Sequence, residues 1–202
     1  PVVLEGGKFV KSKACYYEGM NELREVGKQN TYCIVHSEVY TFNRYFRKKG
    51  LKRVHYTAGF PEHSHKVLKL LIDLGFGSKD FIKVNKSEVK VIDFTREILK
   101  YNKNPKDYKE VENVWVKVNG MKDGKKKTVL MECITRTIKG FEFAGSNINT
   151  GMTISIIGQL LKKKKIKVRG VTAPEACVPS NEFFRELAKR NMHVFEDGRK
   201  IN

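Results

Sequence analysis

Four stretches of this sequence carry side chains that could do chemistry. His36-Ser37-Glu38 directly follows Tyr32, Ile34 and Val35, and loops at strand ends often present reacting groups. An imidazole two residues from a carboxylate could carry a proton near neutral pH. The plain alternative is a surface turn in which Ser37 caps the next helix. Gly59-Phe60-Pro61-Glu62-His63-Ser64-His65 places two imidazoles and a carboxylate at a helix start. Residues two apart diverge by about 200° around a helix, so His63 and His65 do not converge on one ion, and no metal site is expected. Thr150-Gly151-Met152 reads as a helix entrance, where free N–H groups and a missing Cβ would admit an anion or a flat ring; a simple helix entry fits equally. Lys162 to Lys165, with Lys167 and Arg169, could hold phosphate or nucleic acid. A solvated charged run is the commoner explanation, and no aromatic residues interleave with it.

The elements that must position these residues follow from periodicity. Short strands are expected over Lys8–Tyr16, Thr31–Val35 and Leu51–Thr57. Phe42, Tyr45 and Phe46 predict a helix over Val39–Lys49 that stops at Gly50. A second helix runs from Pro61 to Leu74, with Val67, Leu68, Leu71, Ile72 and Leu74 as its apolar face and Gly75 beyond its end. Ser87 should open a third, with Val91, Ile92, Thr95, Ile98 and Leu99 facing inward. Residues 101–107 form a polar connection. Val114, Val116 and Val118 alternate with Trp115, Lys117 and Asn119, Asp123-Gly124 suits a tight hairpin, and Lys127–Thr135 returns as a strand covered on both sides. An apolar helix, Thr153–Leu161, follows. Ser180 should cap a last helix over Glu182–Arg190 that buries Phe183, Phe184 and Leu187. Hairpins mixed with covering helices give an α+β fold, with a mixed, largely antiparallel sheet in one domain over residues 1–202.

The 202 residues are 40% apolar and 31% charged, which excludes disorder and low complexity. Forty Lys+Arg against 22 Asp+Glu leave a net charge of +18, favouring an anionic partner without choosing one. Cys15, Cys33, Cys133 and Cys177 form no C-x-x-C pair, so reduced, mostly buried thiols are expected rather than a zinc ribbon. No signal peptide and no stretch of about 20 apolar residues is present, which points to a soluble cytoplasmic protein. The dinucleotide fingerprint G-x-G-x-x-G, the phosphate loop, H-E-x-x-H and G-x-S-x-G are all missing. The chain therefore contains no self-contained cofactor motif.

Several segments, in order, resemble the C-terminal part of the saccharopine dehydrogenase family, including its lysine 6-dehydrogenase-like members. Lys69-Leu70-Leu71-Ile72-Asp73-Leu74-Gly75 is similar to the family's helix ending in D-L-G. Thr150-Gly151-Met152 with Gln159-Leu160-Leu161 resembles its T-G…Q-L-L helix. Gly170-Val171-Thr172-Ala173-Pro174-Glu175 resembles its G-V-x-x-P-E, and Phe183–Arg190 its closing F-x-x-x-L-x-x-R. The resemblance spans about Lys8 to Val194. Many relatives carry an R-Y-P-G-H-type segment where this chain has Phe60-Pro61-Glu62-His63-Ser64, without the Arg. Lysine, saccharopine and a polyamine precursor thus all stay open as substrates.

The resemblance implies a C-terminal α+β domain that covers the substrate and forms a homodimer, while NAD or NADP binds mainly on a Rossmann domain absent from this chain. It implies hydride transfer on a secondary amine or imine of an amino acid. His36 is then the candidate proton carrier, with Glu38 orienting it. Arg44, Tyr56, Gly59, His63, Arg136, Thr150, Gly151 and Met152 are the candidate substrate contacts, and Arg53 is a further candidate for a carboxylate. Thr150 and Gly151 would shape the wall facing the nicotinamide. Two other readings are a basic nucleic-acid-binding module, the less favoured partner class, and an assembly domain of the same fold without chemistry.

Overall fold

In a computed structural model, residues 1–13, 16–101, 109–142 and 147–202 are described. They gather into two compact units, one formed by Pro1–Ala58 with Lys109–Asn202, the other by Gly59–Tyr108.

The larger unit begins with an antiparallel hairpin of β1 (Val2–Glu5) and β2 (Lys8–Lys11). A second hairpin pairs β3 (Tyr17–Leu23) with β4 (Gly27–Cys33). Tyr17 faces Tyr32 and Gly19 faces Thr31, so Glu18 is the extra residue of a β-bulge, and Gly19 adopts φ 141°. A bulge bends the strand and re-aims its side chain, and glycine tolerates the angle that this bend requires. The helix α1 (Glu38–Phe46) follows, runs into a 3₁₀ turn at Arg47–Lys49, and stops at Gly50 as the sequence predicts. Ser37 stands at its N-cap, where its carbonyl accepts the first bonds of the helix from Tyr40 and Thr41, but its hydroxyl makes no capping bond. From Leu51 the expected strand shrinks to a bridge between Val54 and Leu4 and to β5 (Thr57–Gly59), the third strand of the β3–β4 sheet.

In the smaller unit, α2 (Glu62–Asp73) is followed by a hairpin of β6 (Phe81–Val84) and β7 (Ser87–Lys90), and then by α3 (Val91–Lys100). The helix expected from Ser87 starts four residues later, because Ser87–Lys90 pairs with β6 and Asn85 turns the hairpin at φ 54°. The apolar residues read as inward-facing are exposed here: Val67, Leu68, Ile72 and Leu74 on α2, and Ile98 and Leu99 on α3. Fifty residues cannot enclose both helices in a private core. The polar connection falls almost wholly on 102–108, outside the described residues.

The chain re-enters the larger unit as a long hairpin, β8 (Val111–Lys122) and β9 (Lys125–Arg136), closed by Asp123 and Gly124 at φ 51° and 74°. Both angles are those a type I′ turn needs. Then come α4 (Asn147–Lys162), α5 (Pro174–Cys177) and α6 (Ser180–Ala188), and finally β10 (His193–Glu196) and β11 (Arg199–Lys200). The strand order β11-β10-β9-β8 makes β9 central, as its two-sided apolar pattern predicts. Pro179, not Ser180, is the N-cap of α6, since a proline with ψ 111° fits the non-helical position ahead of the first turn. The core forms where α4 and α6 meet β10: Ile156, Leu160, Ile166, Leu187, Met192 and Val194, with Phe183 and Phe184 half-buried against it. Buried Glu132 on β9 ties the β3–β4 turn to this sheet, accepting from the Arg24 backbone N–H at 3.0 Å and from Asn113 at 2.7 Å. The fold is α+β, and among the described residues the strand hydrogen bonds are shared among four small sheets rather than one. No helix among the described residues is long and apolar enough to cross a membrane.

Candidate functional site

Three of the predicted residues come together at the end of β4. His36 lies flat on Tyr56, with ring centroids 3.7 Å apart and 7° between planes. The partnership follows from the backbone: the Ile34 N–H donates to the Tyr56 carbonyl at 3.1 Å and so aligns the 54–56 segment beside the strand that leads into His36. Glu38, in the first turn of α1, donates its backbone N–H to His36 Nδ1 at 3.4 Å, and its carboxylate stands 3.7 Å from that nitrogen. Glu38 thus presents both a donor and a carboxylate to Nδ1, so that nitrogen can be met with or without its hydrogen. His36 is thus held by a ring on one side and a helix start on another, with Nε2 as its working atom.

Around this stack lie carboxylates that sequence reasoning missed. Burial pushes the Glu38 carboxyl up, partly countered by His36, and Glu175 of α5 adds a further push. The Tyr56 hydroxyl is also raised, first by burial and then by Glu38 and Glu112. Glu112, on β8, is raised by burial and by Glu110, while a hydrogen bond from Asn149 lowers it. Register places Glu112 opposite Thr135. The Thr135 hydroxyl donates to Asn149 Oδ1, and Asn149 Nδ2 donates to Glu112. The alternation of β8 and β9 set the faces of Glu112 and Thr135, but nothing in the sequence says that α4 would lay Asn149 across them.

The other candidates are placed differently. Arg44 is exposed on α1, its guanidinium 5.8 Å from the Tyr45 ring centre. Arg136 pairs with Glu25, and Arg53 with Glu5 and Glu18. Thr150, Gly151 and Met152 lie inside α4, which begins at Asn147, rather than at a helix entrance. A Cβ on Gly151 would meet nothing within 4 Å, so no close backbone approach within this chain requires glycine there. Met152 packs on the core. Gly59, at the end of β5, and His63, exposed in the first turn of α2 with Nε2 3.1 Å from the Ser64 hydroxyl, belong to the smaller unit.

A second polar cluster went unseen in the sequence because its members are scattered. Glu5, Glu18, Cys33, Arg53 and His55 meet where β1, the bulge of β3 and the end of β4 converge. Cys33, Cys133 and Cys177 are free thiols; Cys15 lies outside the described residues.

The recess beside the Thr135–Asn149–Glu112 chain is lined by Glu110, Glu112, Thr135, Arg136 and Ile148 among others, and has a volume of about 10 Å³. That is room for about one water, and no nicotinamide dinucleotide fits it. A larger open recess of about 610 Å³ runs along α3 in the smaller unit, lined by the Asp93–Arg96 and Glu97–Lys100 ion pairs and Leu99. The chain offers a held imidazole, a stacked phenol and half-buried carboxylates, and it carries no phosphate-binding glycine loop. A family model described as the saccharopine dehydrogenase C-terminal domain matches residues 2–192, and the chain belongs to that family.

Proposed function

We propose that this chain is the substrate-facing domain of an NAD(P)-dependent oxidoreductase that transfers hydride at a carbon–nitrogen bond of a lysine- or saccharopine-type amino acid. The observation that carries this reading is the His36–Tyr56 stack closed by Glu38. NAD or NADP supplies the hydride acceptor or donor, bound mainly on a nucleotide-binding domain that works with this one. Oxidation of an amine to an imine needs a group that takes the nitrogen's proton. His36 is that group: its Nε2 takes the proton when the ring's own hydrogen sits on Nδ1, where the Glu38 carboxylate stands 3.7 Å away and steadies the imidazolium that forms. Glu38 positions the ring, and Tyr56 supplies a flat wall for the aliphatic part of the substrate. Half-buried Glu38 and Glu112 favour a cationic amine at this point, since an ammonium beside a raised carboxylate restores its ordinary ionisation. Thr150 and Gly151, exposed on α4, form the side that a nicotinamide ring would face.

Homodimer formation is part of the proposal. The edge strand β8 exposes Val114, Val116 and Val118 in one row, a face that a second subunit would cover. Free thiols support a cytoplasmic setting.

The test combines the chain with a nucleotide-binding domain of the same family and follows NAD(P)H absorbance with lysine and saccharopine. Amino-acid-dependent turnover is expected, falling by about 10²–10⁴-fold in His36→Gln with little change in KM. Independently, lysine-type ligands should shift the His36 and Tyr56 ring resonances of the chain alone. Turnover indifferent to His36→Gln, or ring resonances unmoved by either amino acid, would overturn the assignment.

A further inference from the structure

Glu18, Cys33 and His55 offer a carboxylate oxygen, a thiol sulfur and an imidazole nitrogen that all lie within 4.8 Å of one another. Cys33 Sγ is 3.6 Å from Glu18 Oε2 and 3.8 Å from His55 Nδ1, and Nδ1 is 2.8 Å from that same Oε2. Tetrahedral zinc, with bonds of about 2.0–2.3 Å, holds sulfur, nitrogen and oxygen ligands about 3.3–3.6 Å apart. Two of the three separations already match within a few tenths of an ångström. The third opens by about half an ångström when an ion replaces the proton between Nδ1 and Oε2.

The surroundings are those of a ligand set. His55 Nε2 stands 2.5 Å from Glu5 Oε1, so the ring's outer N–H is committed to a carboxylate and Nδ1 turns inward. This carboxylate–histidine arrangement orients metal-bound imidazoles and raises their basicity. Arg53 holds the other Glu18 oxygen at 2.7 Å and aims Oε2 toward Cys33 and His55; 61% exposed, its side chain is free to yield. Cys33 is 1% exposed, and the His55 and Glu18 side chains are 13% and 20% exposed. A divalent ion together with Arg53 balances Glu5, Glu18 and a Cys33 thiolate. The backbone reasons are specific: the bulge throws Glu18 inward, the Leu4–Val54 bridge sets Glu5 beside His55, and β4 ends on Cys33.

We infer that Glu18, Cys33 and His55 bind one zinc-class divalent ion, oriented by Glu5, with water completing its coordination. Thiolate with imidazole selects zinc over magnesium or calcium. The site is separate from the His36–Tyr56 stack, so its failure would leave the proposed oxidoreductase reading standing.

The test uses the chelator-treated full chain titrated with Co²⁺ and then Zn²⁺. One equivalent of Co²⁺ should produce a thiolate-to-cobalt charge-transfer band, and one equivalent of Zn²⁺ should abolish it. Cys33→Ser should remove the band, Cys133→Ser and Cys177→Ser should keep it, and Glu5→Gln should weaken Zn²⁺ about tenfold. Circular dichroism establishes that each variant is folded. Should Cys33→Ser fail to fold, protection of Cys33 from alkylation by Zn²⁺ in the unsubstituted chain serves instead. No band, a band surviving in folded Cys33→Ser, or alkylation of Cys33 unaffected by Zn²⁺ would refute the site.

Discussion

Removing the Asn149 amide should destabilise the chain in a pH-dependent way. Asn149 joins two groups, accepting from the Thr135 hydroxyl and donating to Glu112. In Asn149→Ala, Thr135 loses an acceptor in a buried position, a pH-independent cost of about 1 kcal/mol. Glu112 loses the one influence that lowers its proton affinity, leaving burial and Glu110 to raise it. A carboxyl raised by folding binds its proton more tightly in the native state, so stability is lost as pH rises through the folded value. Loss of the Asn149 N–H enlarges that shift. The charge-assisted part is worth about 1–2 kcal/mol once partial solvent screening is allowed for, and it appears only where Glu112 is ionised. Near pH 4 the variant should therefore differ from the unsubstituted chain by about 1 kcal/mol, and near pH 7.5 by about 2–3 kcal/mol. For a chain of this size each kcal/mol moves Tm by about 2–4 °C. Urea unfolding of both proteins at the two pH values measures the difference, and Thr135→Val isolates the pH-independent share. A loss equal at both pH values would refute the role assigned to Glu112.

Three further outcomes are expected. Glu186, held by Lys163, Lys189 and Arg190, is lowered from 4.5 to about 2, chiefly by the Lys189 and Arg190 hydrogen bonds. Its contribution is present above pH 4.5 and lost as pH falls toward 2, so Glu186→Gln should flatten that part of an acid-unfolding curve; an unaltered curve counts against the network. Ile156, fully buried on α4 in the core shared with Leu187 of α6, should cost about 2–4 kcal/mol as Ile156→Ala in urea unfolding, and a loss under 1 kcal/mol would displace the core from this position. Burial, reinforced by Glu18 and Glu112 respectively, pushes the Cys33 and Cys133 thiols up to about 11. In chelator-treated protein at pH 8, each should alkylate on the order of a hundredfold more slowly than a free cysteine, with rates rising tenfold per pH unit; rates near those of free cysteine would contradict the burial.

What was legible in the sequence was local. The β8–β9 hairpin was visible because valines at every second position and Asp123-Gly124 each demand the same turn. The stop at Gly50 and the extent of α2 were visible for the same reason, that periodicity and terminal residues agree. Ser87 misled because serine followed by glutamate fits a helix start and a strand alike, and pairing with Phe81–Val84 decided between them. Thr150-Gly151 misled because helix propensity says little about where a helix starts, and α4 reaches three residues further back. His36 and Glu38 could be proposed together because they are neighbours in the chain. Glu112, Asn149 and Glu175 could not, since only strand register and helix docking bring them near. Charge alone does not tell a substrate-binding arginine from a structural one, and in a chain with 22 acidic residues Arg53 and Arg136 find partners of their own.

Val54, His55 and Tyr56 join the two polar clusters mechanically. Val54 is fixed by paired hydrogen bonds with Leu4, each 3.0 Å, and the Tyr56 carbonyl by the Ile34 N–H. Between these anchors, His55 sends its ring toward Glu5, Glu18 and Cys33, while Tyr56 lays its ring on His36. A side chain is positioned well only when its backbone cannot drift, and here the neighbouring residue supplies that restraint through two carboxylates. Glu5, Glu18, Cys33 and Arg53 around His55 therefore help to hold the backbone that presents Tyr56 to His36.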